Sequence, residues 1–159
     1  MSNKVTSADN QQGRLNEKLT PEYIVGLVDG EGYFSVTARM EHYKTYSCHR
    51  IRLVFGMDLN TIDGKILYNL CDWFGCGKVR LRKDDRKNFS DQLQYQVRDM
   101  KSVIEVIIPF FQKHPLRLLK RKKTFSKFVE IAKMIEKNIH RTQDGFEKIV
   151  ILAHNLHSY

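Results

Sequence analysis

The 159-residue chain has no apolar run approaching the roughly 20 residues that a bilayer-spanning helix needs, so no membrane partner is expected. Its opening stretch, MSNKVTSADNQQGRLNEK, lacks an apolar core and does not read as a secretory signal. Cysteine is scarce. Cys48, Cys71 and Cys76 are odd in number, which rules out a fully paired framework within one chain. Free thiols in a reducing, intracellular compartment are the simpler expectation, whether in an organelle or in bacterial or archaeal cytoplasm. Their spacing with His42 or His49 matches no common zinc-ligand pattern. Acid is also in short supply: 18 Asp plus Glu face 27 Lys plus Arg, a formal charge of +9. That excess favours a polyanionic partner, either nucleic acid or an acidic membrane surface.

What is present is enough for one globular domain. The chain is 42% hydrophobic and long enough to bury a core. Residues 1–18 are polar and turn-rich and read as a mobile tail, leaving 19–159 as a single domain. Thr20, Pro21 and Glu22 form a helix start: a capping hydroxyl, a proline at the first helical position and an acid at the positive end of the dipole. Glycines 30 and 32 are expected to end that helix. Two segments of period-two alternation follow, 33–39 and 49–57, with a loop around Glu41 to Tyr46 that would close a hairpin. A second helix is expected from a cap at Asn60 or Thr61 to about Phe74, with Ile62, Ile66, Leu67, Leu70 and Trp73 or Phe74 inward. The strand patterns KVRLRK and LQYQVR then flank the polar linker DDRKNFSD. Helices resume at about 101–111, 116–138 and 142–156. The fold class is therefore α+β, of order αββαββα, with both hairpins joined in one four-stranded antiparallel sheet backed by helices.

The alternation also predicts what each sheet face carries. One is apolar. The other collects Tyr33, Ser35, Thr37, Arg39, Arg50, Arg52, Arg80, Arg82, Gln94, Gln96 and Arg98, and is almost free of carboxylates. Arg can engage two guanine acceptors and Gln can pair bidentately with adenine, so this face suits double-stranded DNA read through the major groove. The run KHPLRLLKRKKTFSK at 113–127 has basic groups and no acid, a candidate for phosphate contact.

The stretch Ile24-Val25-Gly26-Leu27-Val28-Asp29-Gly30-Glu31-Gly32 carries the chemistry. Gly26 lets two helices approach closely, and Val25 and Leu27 supply apolar packing. A carboxylate beside exposed carbonyls at a helix terminus makes an oxygen-rich site suited to magnesium. The stretch resembles the LAGLIDADG motif of homing endonucleases, with conservative swaps and Glu for the final Asp. It stands before two hairpins, FGCGKV at 74–79 and a basic helix, and the likeness covers roughly residues 20–135.

The resemblance implies a divalent-metal-dependent nuclease, magnesium by default with manganese or calcium able to substitute for binding. It would cut both DNA strands to leave short 3′ overhangs. Glu31 and the Gly30 carbonyl would ligate the metal, and Lys120, with Lys122 as second choice, would position solvent. Counted from Phe55, the family's usual glutamine falls on Leu59, which leaves Asn60 or Asp58 to organise water. Arg50, Arg52, Arg80 and Arg82 fall where the family contacts bases. No second motif occurs in the chain, so a homodimer through the motif helix is expected, with Tyr23, Val25, Gly26, Leu27 and Asp29 at the interface. Two-fold symmetry in turn predicts a long, roughly palindromic target. Some members of this family instead serve as group I intron RNA maturases or only bind DNA.

Overall fold

A computed structural model describes residues 18–83 and 90–158. Nearly all of the expected tail and most of the linker between the second pair of strands lie outside the described residues.

Helix α1 spans Pro21–Glu31, and Thr20 caps it by accepting from the Tyr23 amide at 3.2 Å. Gly30 stays inside the helix. Gly32 ends it, with extended backbone and its N–H donated to the Val28 carbonyl. Only glycine fits there, because a Cβ would lie 2.6 Å from Val28 Cγ1 and 2.8 Å from Val28 O. The chain therefore turns directly into β1, Gly32–His42, which pairs antiparallel with β2, Ser47–Asn60. Both strands are longer than the alternation suggested. The turn between them closes through Tyr43 N donating to Tyr46 O at 2.8 Å.

The extra length of β2 displaces the next helix. Asn60 is the last strand residue, and residues 61–65 form turns before α2, Ile66–Phe74. Ile62, expected inward, therefore sits in a turn and is 82% exposed. Its amide donates to Asn60 Oδ1 at 3.0 Å, so Asn60 organises the turn rather than capping a helix. At the other end Phe74 is the inward residue and Trp73 is 41% exposed. Gly75, in the left-handed region at φ 64°, stops α2.

Strands β3, Lys78–Arg82, and β4, Gln92–Val97, complete a sheet of order β1-β2-β4-β3, antiparallel throughout. The second hairpin thus joins the first through β4 on β2. The third helical segment is continuous in three pieces: α3, Met100–Ser102, a π-helical turn over Val103–Ile107, and α4, Ile108–Lys113. Pro109 has no N–H to donate, and the chain absorbs this at the π turn that precedes it. Helix α5 spans Leu119–Glu136, and α6, Gln143–His154, starts at Thr142, whose hydroxyl accepts from the Gly145 amide.

The register confirms the predicted phase. Phe34, Leu53, Phe55, Met57, Leu93, Tyr95 and Val97 all point to the helix side and are buried. Phe34 and Phe55, with ring centroids 5.4 Å apart, meet Phe111 there, and Phe34 also meets Phe128. This aromatic layer fixes the sheet on α4 and α5 and leaves the opposite face uncovered. Among the described residues no helix is long and apolar enough to cross a membrane.

Candidate functional site

The uncovered face is built in rows, because cross-strand partners on one face lie side by side about 4.8 Å apart. Arg39 pairs with Arg50 and Thr37 with Arg52. Tyr33, Gly56, Gln96 and Lys78 form one continuous row across all four strands. The next row is Asp58, Gln94 and Arg80, and the last Asn60, Gln92 and Arg82. Ser35 shares the face, and Arg98 follows β4 directly. Every residue assigned to this face from sequence is therefore brought together. A cleft of about 240 Å³ opens among Gly77, Lys78, Arg80, Gln94, Gln96, Arg98 and Asp99.

Among the described residues, the strands of this face carry the carboxylates Glu41 and Asp58, and they are held differently. Glu41 at the hairpin tip takes Arg39 Nη2 at 2.8 Å, Arg50 Nε at 2.6 Å and the Tyr43 hydroxyl at 2.8 Å. The hydroxyl and then Arg39 lower its pKa from 4.5 to about 2. Asp58 uses only Oδ2, accepting from Gln94 Nε2 at 3.1 Å and more distantly from Arg82 at 3.5 Å. Its Oδ1 is buried and has no hydrogen-bond partner. Next to it, Gln96 Nε2 donates to the Tyr33 hydroxyl at 2.6 Å. Burial raises the pKa of that hydroxyl, and the Asp58 carboxylate adds to the effect.

At one edge of the face α1 ends and α5 begins, and four hydrogen bonds join them. Asp29 is only 7% exposed and turns inward, with Oδ2 accepting from the Arg117 amide at 2.8 Å and Oδ1 from the Leu118 amide at 3.3 Å. Its acid thus satisfies amides at the start of α5, where the helix dipole favours negative charge. Arg121, one turn on, donates from Nε to the Asp29 carbonyl at 3.1 Å and from Nη2 to the Gly30 carbonyl at 3.2 Å. Glu31 and Lys120 are both exposed and belong to these two joined ends.

Arg121 was not singled out from sequence, where Lys120 and Lys122 were preferred within the same basic run. Helical spacing could have found it: a residue four after Arg117 returns to the face that Asp29 caps. Lys127, in the same run, donates to the Asn155 carbonyl and to the Ser158 carbonyl at 2.8 Å, so it closes the end of α6 instead of facing outward.

Helix α1 divides its residues sharply. Ile24, Val25, Val28 and Asp29 are buried within the chain. Tyr23, Gly26, Leu27 and Gly30 form the opposite i, i+3, i+4, i+7 stripe. Tyr23 is 51% exposed, and a Cβ placed on Gly26 or Gly30 would meet nothing within 4 Å. Of the expected interface residues, Tyr23, Gly26 and Leu27 lie on this open stripe, while Val25 and Asp29 serve the chain's own interior.

Glu31 and the Gly30 carbonyl offer hard oxygen donors, the chemistry that magnesium and calcium select. They are few: among the described residues no group of three or more His, Cys, Asp or Glu is placed to hold a metal. A cation here would need further oxygens from outside this chain.

These features define an α+β protein with a cationic, amide-rich sheet face and an acid-tipped helix at its edge. The family model for the LAGLIDADG endonuclease matches residues 24–132, and the chain belongs to that family. The homing endonuclease I-TnaI has a crystal structure that superposes with a TM-score of 0.74 at 33% identity, covering 86% of this chain and 87% of that one. I-SmaMI, solved bound to uncleaved DNA target in the presence of calcium ions, gives a TM-score of 0.75 at 28% identity, over 87% of this chain and 45% of that one. Probable intron-encoded endonuclease 3 of Neurospora crassa is 24% identical over 137 residues. Probable intron-encoded endonuclease 2 of the same fungus is 27% identical over 134 residues. The chain spans about a quarter of the length of these two relatives, 24% and 26%.

Proposed function

We propose that this chain is a site-specific DNA endonuclease that works as a homodimer. It hydrolyses one phosphodiester in each strand of a long, roughly palindromic site and leaves 3′ overhangs. The observation that carries this reading is the joint between α1 and α5, which sets the Glu31 carboxylate and the Lys120 ammonium at the edge of a cationic sheet face.

The parts divide the work. Arg52, Arg80 and Arg98 with Gln94 and Gln96 face the groove and supply donors and acceptors for base edges. Lys122 and its neighbours at the start of α5 neutralise phosphate, and the contact is lost as salt rises. The stripe of Tyr23, Gly26, Leu27 and Gly30 packs on its counterpart in a second copy, so that two Glu31 residues meet near the axis. Each serves one strand. Glu31, with the Gly30 carbonyl, would hold a divalent cation, magnesium in the cell, with manganese or calcium substituting for binding. Bound there, the ion would supply positive charge to stabilise the negative charge that builds on the phosphate oxygens. Lys120 holds solvent near the phosphate, and Asp29 and Arg121 keep the two helix ends in register. The reaction is hydrolysis: a water oxygen bonds to phosphorus, the bond to the leaving sugar oxygen breaks, and that oxygen takes a proton.

The test is incubation of the protein with a randomised duplex library and magnesium, followed by sequencing of the cut ends. Double-strand cuts at one recurring site with 3′ overhangs are expected. Tight, salt-sensitive binding of a site that is never cut would leave a DNA-binding scaffold and remove the enzyme.

A further inference from the structure

Among the described residues, Arg121 is a cation without a carboxylate partner. Its Nε and Nη2 donate instead to two neutral oxygens, the carbonyls of Asp29 at 3.1 Å and Gly30 at 3.2 Å. The acids closest to those carbonyls in the chain do not neutralise it. The Asp29 carboxylate accepts from the Arg117 and Leu118 amides, and exposed Glu31 forms no ion pair with Arg121. Arg121 is also half-buried, so its charge is less screened than those of the exposed Lys122 and Lys123 beside it.

A basic side chain on the last carbonyls of a helix is an ordinary cap. Here one of the two carbonyls is that of Gly30, which the endonuclease reading gives to the divalent cation together with Glu31. Guanidinium and dication then claim the same oxygen. The C-terminal end of α1 attracts positive charge of either kind, but two cations on one neutral carbonyl repel, and half-burial strengthens the repulsion. A carbonyl is also a weaker acceptor for guanidinium than phosphate, which offers both negative charge and a bidentate match. Arg121 lies in the first turn of α5, between Lys120 and Lys122, in the run assigned to phosphate contact.

We propose that Arg121 restrains cation loading: it competes with the divalent ion for the Gly30 carbonyl, and exchanges that carbonyl for a phosphate oxygen when a duplex docks. This rests on the endonuclease reading above and adds to it an order of assembly. The free chain holds the ion weakly, and the duplex-bound chain holds it well because Arg121 has been drawn to phosphate.

The experiment is calorimetric titration of calcium into the free protein, comparing wild type with Arg121→Gln and Arg121→Lys. Glutamine keeps an N–H for the carbonyl and drops the charge, lysine keeps the charge, and thermal melts check that both variants are folded. Arg121→Gln is expected to bind calcium about tenfold more tightly than wild type, and Arg121→Lys to stay within about threefold of wild type. Adding Glu31→Gln to Arg121→Gln should abolish the gain. The titration is then repeated on each protein bound to the duplex selected from the library, with the Glu31→Gln complex as the reference for calcium held by the DNA itself. There wild type and Arg121→Gln should agree within about threefold. Equal calcium affinity of the free proteins, or weaker binding by Arg121→Gln, would make Arg121 a helix cap alone and overturn the proposal. A gain that survives Glu31→Gln would overturn it by placing the ion elsewhere, and a tenfold difference that persists on the duplex would overturn the exchange with phosphate. Calcium that loads on the duplex-bound chain while the free proteins do not differ removes only this proposal. Calcium that binds none of the proteins, free or on DNA, would sink the metal-dependent endonuclease reading itself, and this proposal with it.

Discussion

Asp29→Ala should unfasten the joint on which the site depends, and the structure sets the size of the effect. The substitution leaves the Arg117 and Leu118 amides, now at 2.8 and 3.3 Å from the carboxylate, without an acceptor at a largely buried position. Loss of a capping side chain costs about 1 kcal/mol. Each hydrogen bond to a charged group contributes about 1.5–3 kcal/mol, and the favourable charge at a helix N-terminus about 0.3–1 kcal/mol. These overlap, since all describe one carboxylate, so the net loss is about 2–3 kcal/mol. For a domain of this size that is a fall of about 5–10 °C in Tm. Asp29→Asn keeps one acceptor without the charge and should lose roughly half as much. The assay is thermal unfolding followed by circular dichroism at fixed protein concentration, because the proposed dimer would make Tm concentration-dependent. Cleavage measured well below Tm should drop further than DNA binding, as Glu31 and Lys120 lose their common anchor. If Asp29→Ala melts within about a degree of wild type, the carboxylate is not a cap and the joint has been misread.

Three further outcomes follow from the geometry. A Cβ at Gly26 meets no atom within 4 Å, so Gly26→Leu should retain the helical content, whereas sedimentation should show a monomer that makes no double-strand cuts; an intact dimer would move the interface elsewhere. Gly32→Ala forces a Cβ against the Val28 side chain and backbone, and should cost about 2 kcal/mol by denaturant unfolding, with an unchanged midpoint as the contrary result. Glu41, its pKa lowered from 4.5 to about 2 by Tyr43 and Arg39, is an acid more easily ionised in the folded chain. Its stabilisation of the hairpin tip is therefore complete above 4.5 and lost as pH falls through 2. Carboxyl NMR should give a midpoint near 2 that Tyr43→Phe lifts toward 4.5, and a wild-type midpoint already near 4.5 would refute it.

Local signals carried much of this far. Thr20 and Pro21 start α1 where their chemistry said, and period-two alternation assigned both faces of all four strands correctly. The miss at Ile62 has a physical source. An apolar residue after a capping Asn reads as the first inward position of a helix, but pairing with Gln92 holds Asn60 in β2, and its side chain is used in the turn. Strand order was illegible, because hairpins specify only their own pairing. Local pattern nominates parts of the candidate site, Glu31, Lys120 and the arginines, but not the joints between them. Asp29 capping α5 and Arg121 reaching two carbonyls are each contacts between segments tens of residues apart. No local pattern records such contacts. The same is true of Lys127, which belongs to a basic run by composition and to the end of α6 by geometry.

The central claim, that Glu31 makes this scaffold a nuclease, is tested most directly by comparing wild type with Glu31→Gln on the selected site. Binding is followed in calcium and cleavage in magnesium. The account predicts equal affinity, double-strand cuts by wild type, and a loss of cleavage of at least a thousandfold in the variant, about 4 kcal/mol in the barrier. A Glu31→Gln protein that cuts as wild type does would place the catalytic acid elsewhere and contradict the account.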